Sequence, residues 1–151
     1  MAYNTIKLKK YADIIEELQA GEAITPGHLI EQYATGLVKK HATSGGNALP
    51  MFALEDELQG NDIDDNYASG DKVQCWVAQR GECVYAVLAD GQSVVEGGFL
   101  ESNGDGTLKA HTAETWTSAD AQEANTVYSN PIVGIALEYK DLSGSSGEDS
   151  K

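Results

Sequence analysis

The spacing of apolar residues changes character near residue 22. From Lys9 to Gln19, KKYADIIEELQ places Tyr11, Ile14, Ile15 and Leu18 at i, i+3, i+4 and i+7, the stripe of a short amphipathic helix. Gly21 follows as a helix stop. Ahead of the helix, TIKLK alternates Ile6 and Leu8 with Lys7 and Lys9. Such an arm is too short to be ordered unless it pairs with something. After the turn signal Thr25-Pro26-Gly27 the pattern shifts to period two and to brief apolar runs. This predicts strands in HLIEQYA, GLVKKHA, PMFALED, DKVQCWVAQ, ECVYAVLA, SVVEGGFLES, TLKAHT and PIVGIALEYK.

Glycine, asparagine and aspartate punctuate these segments, at Ser44-Gly45-Gly46-Asn47, Gly60-Asn61, Arg80-Gly81, Asp90-Gly91 and Asn103-Gly104-Asp105-Gly106. Short strands at such spacing predict a mainly β fold, a small antiparallel β-barrel or sandwich. Residues 1–22 read as arm and helix, 23–142 as the barrel, and 143–151, ending in SGSSGEDSK, as a flexible polar tail. ETWTSADAQEAN, between Ala113 and Asn130, reads as a loop with one helical turn. Val73, Trp76, Val84, Val87, Leu88, Phe99 and Leu100 supply the expected core.

A chain of 151 residues is one domain's worth, able to bury roughly 68–70% of its unfolded surface. Its charge changes the functional picture more than its length does. Ten cations against 24 carboxylates give −14. Residues 1–40 hold five lysines and five acids, so residues 41–151 carry 5 minus 19, the entire imbalance. Nucleic-acid binding draws on Lys and Arg against phosphate, and a body this acidic excludes it. No apolar run approaches the ~20 residues of a membrane span, and the first fifteen residues lack a signal-peptide core. The expectation is a soluble protein made in the cytoplasm. Cys75 and Cys83 flank the Arg80-Gly81 turn; in a two-residue hairpin Cys75 stands opposite Ala86, with Cys83 on the other face, so the pair is expected to stay reduced.

Candidate chemistry is sparse. A calcium loop begun at Asp62 has Tyr67 where glycine is needed and Val73 where the bidentate glutamate belongs. One begun at Glu101 ends on Thr112. The pairs Glu55/Asp56 and Asp64/Asp65 lie among turn residues and read as solvated charge, since acid/base work needs a carboxyl in an apolar pocket. His28, His41 and His111 stand in no zinc spacing. No nucleophile elbow, P-loop or dinucleotide fingerprint occurs. The chain is therefore expected to be no enzyme, with no cofactor and no metal. Trp76, in VQCWVA, reads as core, and Trp116, in a polar segment, as an exposed contact.

Four segments taken together carry a resemblance: AITPGHLIE, HATSGGNALPMFALEDELQGNDIDDNYASGD, RGECVYAVLADGQSVVEGGFLESNGDGTLK and NPIVGIALE. The chain resembles, over roughly residues 23–138, the head decoration or cement proteins of tailed bacteriophages. The resemblance implies a compact β-barrel or β-tulip docked on the outside of the expanded head, often as a trimer, with the major capsid protein as partner and the virion surface as its location. Contacts with the capsid or a neighbouring copy are then expected from the arm, through Tyr3, Ile6, Lys7, Leu8, Lys9 and Lys10, and from Trp116. Two placements of the arm stand open, on a partner or folded back as an edge strand on its own barrel. A small β-barrel module for a glycan or cell-surface ligand, using Trp116, is the alternative function.

Overall fold

The computed structural model describes residues 5–9, 15–117, 124–127, 132–147 and 149–151, with backbone alone for 7–9, 15, 114–117 and 124–127. Among the described residues there are fourteen strands and no helix. The strands are β1 Lys7–Lys9, β2 Ile15–Ala20, β3 Ile30–Ala34, β4 Leu37–Lys40, β5 Met51–Ala53, β6 Lys72–Val77, β7 Cys83–Val84, β8 Ser93–Val94, β9 Phe99–Ser102, β10 Leu108–Ala110, β11 Glu114–Thr117, β12 Ala124–Val127, β13 Gly134–Ile135 and β14 Lys140–Asp141. Each segment expected to be extended contains strand, but two are divided: SVVEGGFLES into β8 and β9 around Gly97-Gly98, and PIVGIALEYK into β13 and the start of β14, which join different sheets.

The principal sheet has the order β3-β4-β2-β6-β5. Its middle strand overturns the expected helix over Lys9 to Gln19, whose residues 10–14 lie outside the described set. Glu16 to Gln19 pair antiparallel with Cys75 to Lys72, while Gln19 and Ala20 lie parallel to Leu37 and Val38. Leu18 and Ala20 turn inward while Glu17 and Gln19 face water, the period of a strand. Leu18 satisfies both periodicities, and hydrogen bonding on both edges decides between them. Residues 15–22 thus belong to the body. Gly21 is no helix stop: the Tyr33 ring lies where a Cβ would stand.

Pairing is mostly antiparallel, with the parallel β2–β4 contact as an exception. Edge strands β3 and β5 approach at a single bridge, Leu29 to Phe52, and the sheets are not closed into a barrel. Smaller sheets, β1-β7, β10-β9-β13, β14-β8 and β11-β12, complete the fold. The last is a hairpin in the segment read as a loop; Trp116 pairs with Asn125, so ETWT and ANTV find in each other the ladder that neither pattern announces.

On β6, Val73 and Cys75 enter one core with Ile24, Ile30, Val38 and Tyr67, while Trp76 enters another with Ile6 and Leu54. Of the expected core, Val73, Trp76, Val87 and Leu88 are buried, and Val84 and Leu100 are half-buried. Phe99 is a correction: it stands opposite Ile135 on the outer face and is 44% exposed. The Arg80-Gly81 turn forms no β6–β7 hairpin, because β6 is already flanked by β2 and β5 and β7 pairs with β1. Both cysteines are free thiols, and burial pushes the Cys75 thiol up to about 11.

The polar tail is docked, contrary to expectation. Ser150 and Leu88 exchange both backbone hydrogen bonds. The Asp90 carboxylate accepts from Ser145 Oγ and from Gly147 N, and the Asp90 amide donates to Asp149 at 2.8 Å. Among the described residues this segment without apolar side chains is held by these bonds and by the Lys151 ammonium on Asp64 and Ile63 O.

The indole N–H of Trp76 meets no acceptor among the described residues, so its contribution is packing. Trp76→Ala is expected to cost ~3–5 kcal/mol in urea unfolding, and Trp76→Phe distinctly less. Equal losses would show that the indole nitrogen, not volume, matters there.

Candidate docking surface

The arm settles onto its own chain. Ile6 is fully buried against Leu54 and Trp76, with Ile63, Val84 and Tyr85 around it. Its amide donates to Glu55 Oε2 at 3.2 Å, Thr5 Oγ1 donates to Glu55 Oε1, and Tyr85 N donates to Ile6 O at 2.7 Å. Lys7 and Lys9 then pair with Val84 and Cys83. Two expectations change. Ile6 is a core residue and not a partner contact, because its whole surface is taken up inside the chain. Glu55 is not solvated: at 3% exposure it is the buried acceptor that fixes the arm. Lys7, Leu8 and Lys9 form β1; Tyr3 and Lys10 lie outside the described residues, and Trp116 sits on the separate β11-β12 hairpin. The structure does not gather these candidates into one site.

The candidate carboxylates and histidines do not converge either. Glu101 turns from the 103–106 loop to pair with His111 Nδ1 and with Lys109 at 3.3 Å. The Asp105 carboxyl would be raised by burial, but hydrogen bonds from Thr107 and Asn103 outweigh this and hold it below the usual range. Asp62 and Asp65 accept from the amides of Asp64 and Asp62, each at 2.9 Å, in a solvated turn. No cluster of three His, Cys, Asp or Glu able to hold a metal occurs among the described residues. His41 Nε2 donates to Asn47 O at 3.1 Å, which leaves Nδ1 to accept from Ser102 Oγ at 2.7 Å. This serine–histidine pair is sealed, since Ser102 has no exposed surface, and it pins the 43–47 loop to β9.

The surface that stands out is apolar. A cleft of about 910 Å³ has every residue of 78–86 along one wall and of 132–138 along the other, with Leu100, Leu108 and Val94 between them. Apolar side chains of its lining are open to solvent, Ile135 with Phe99 beside it and Leu137 at 59% exposure, and Val95 lies on a turn whose Gly97 amide donates to Ala136 O at 2.8 Å. An exposed group of this kind marks a contact surface. PIVGIALEYK reads only as a strand because an uninterrupted apolar run does not show which side faces out.

His28 lies in a smaller hollow shared with Ile63, Asp64, Asp149 and Lys151. Its Nδ1 accepts from the Thr25 amide at 3.1 Å, and burial, with Lys40 nearby, lowers its pKa from 6.5 to about 4. The folded chain therefore resists a proton that the unfolded chain accepts, so stability is complete above pH 6.5 and falls as pH drops toward 4. After allowance for partial solvent screening the loss is of order 2 kcal/mol. It should be read as a smaller acid-induced fall in melting temperature for His28→Gln than for the parent; parallel falls would remove His28 as the cause.

Deleting residues 2–10 should lower the free protein's melting temperature and red-shift the emission of Trp76, since Ile6 and the partners of Glu55 leave together. An unchanged melting temperature would show that the arm is dispensable to the body.

No helix among the described residues is long and apolar enough to cross a membrane. No protein-family model matches the chain and no curated protein matches it, so its function has to be read from these residues and their arrangement.

Proposed function

We propose that the chain is a capsid decoration protein of a tailed phage. It acts by binding and not by catalysis, seated on the outside of the head against the major capsid protein, as a trimer in the finished virion. The observation that carries this is the apolar cleft and the exposed strip running from it through Ile135, Phe99 and Leu137, on a body that otherwise holds the whole −14 charge. A large partner is what such a strip fits.

The resemblance of the four segments supplies the kind of partner. The finer architecture it implies is a small barrel or tulip; what supports that reading is the bridge from Leu29 to Phe52, which brings the two edges of the principal sheet together. Anything that binds the assembled shell and not its parts stabilises the assembly by mass action, so decoration opposes the pressure of packaged DNA. The acidic face left outward repels other particles.

Purified protein mixed with expanded, undecorated heads should co-sediment saturably and raise the temperature at which the heads release DNA. Leu137→Asp should weaken that binding ~10-fold or more while leaving the free protein's melting temperature within a degree or two, because Leu137 already faces water. Absence of co-sedimentation at micromolar protein would sink the proposal.

A further inference from the structure

Residues 41–151 contain five cations, Lys72, Arg80, Lys109, Lys140 and Lys151, and three of them, Arg80, Lys140 and Lys151, line the apolar cleft. Against them the lining places Glu82 and Glu138; with Lys151 engaged by Asp64, two cations stand beside two carboxylates, a neutral cleft inside a body of −14. Lys151 is tied to Asp64 at 3.3 Å and to Ile63 O, whereas Arg80 and Lys140 form no ion pair with a described residue. The cleft thus sets two cations, Arg80 and Lys140, without ion pairs among the described residues beside apolar surface.

Each wall carries one two-residue strand, β7 at Cys83–Val84 and β13 at Gly134–Ile135, within otherwise irregular backbone. Among the described residues β7 pairs with β1 alone and β13 with β9 alone, so each presents one unladdered edge. Seven consecutive residues on one wall and nine on the other can run beside an extended peptide of about six residues, ~20 Å long. Backbone edges, alternating apolar contacts and fixed charges at the rim are the components of recognition by strand addition.

From this we infer that the cleft takes an extended segment of a protein partner, apolar on one side and bearing carboxylates on the other. Alternate side chains pack on Leu100, Leu108 and Val133, the carboxylates meet Arg80 and Lys140, and the segment's backbone adds to an open edge. Opposite charge chiefly selects the partner and speeds encounter, while the apolar face holds it. The inference rests on the chain being a binding protein and names the chemistry of what it binds; a lipid tail, which has no amides to add to a strand edge, is not favoured.

The test uses the full chain without heads. A synthetic peptide of about six residues alternating valine and glutamate is titrated by fluorescence anisotropy, beside a valine–lysine peptide, an N-methylated valine–glutamate peptide and laurate. The inference expects the valine–glutamate peptide to bind at least ~10-fold tighter than either peptide control or laurate. It also expects the combined Arg80→Glu and Lys140→Glu variant to reverse the charge preference; Arg80→Gln with Lys140→Gln, checked for an unchanged melting temperature, serves if reversal perturbs folding. Equal binding of all peptides, no peptide binding, or laurate binding best overturns it. Heads that bind while the peptides show no selectivity remove the cleft chemistry and leave the decoration reading; peptide selectivity without head binding supports the cleft chemistry and removes decoration.

Discussion

Burial of Ile6 against Trp76, with the Glu55 carboxylate taking the Thr5 hydroxyl and the Ile6 amide, is the contact on which much of this surface depends. A carboxylate at 3% exposure is costly to bury unless its lone pairs are used, and the hydrogen bonds described for it both come from the arm. Once Ile6 is seated, β1 lies against β7 and Tyr85 N reaches Ile6 O. Strand β7 is two residues long and pairs with β1 alone among the described residues, so the arm holds one wall of the apolar cleft in place. A segment that looks expendable in the sequence is thereby connected to the surface proposed to bind.

Charge is arranged on the same plan. Buried acids are individually matched, Glu55 by the arm and Glu101 by His111 and Lys109. Three of the five cations of the acidic body line the cleft, and Arg80 and Lys140 form no ion pair among the described residues. Long-range repulsion from −14 opposes association with other acidic surfaces, and the proposed docking puts its contact where apolar surface meets Arg80 and Lys140.

Strand content from Ile30 onward was legible because its breaks are chemical: glycine with positive φ at Gly91, Gly104 and Gly106 enforces turns that a side chain would strain. Two elements were not. In IEELQ, Leu18 fits either period and Glu and Leu favour a helix, so only the ladders to β6 and β4 reveal a strand. In ETWT and ANTV no apolar alternation exists to read, and the pairing of Trp116 with Asn125 is a tertiary fact. The site was legible in part. Trp76 announced itself as core by its apolar strand; Glu55 looked solvated because its neighbours Asp56 and Glu57 are acidic, while its partners lie 49 and 50 residues away. Local composition does not report contacts at that separation.

The abundance of acid has a local cause that precedes any role at a partner. In the turns, Asp71 accepts from the Ala68 amide at 2.7 Å, Glu82 from Gln79 at 2.7 Å, Asp105 from Thr107 at 3.0 Å and Asp141 from Ser143 at 2.9 Å. Each carboxylate satisfies an amide that no ladder reaches, as aspartate does in Asx turns. Hydrogen bonds from Ser143 and Tyr139 hold the Asp141 carboxyl below its ordinary range, so this acceptor stays charged further into acid. Fourteen short strands among the described residues need many turns, and carboxylates that cap such turns add acid to the body as a consequence of its architecture. Under the proposed docking, the same acid leaves Arg80 and Lys140 at the cleft rim as the cations a partner would meet, so that turn chemistry and partner selection become two effects of one composition.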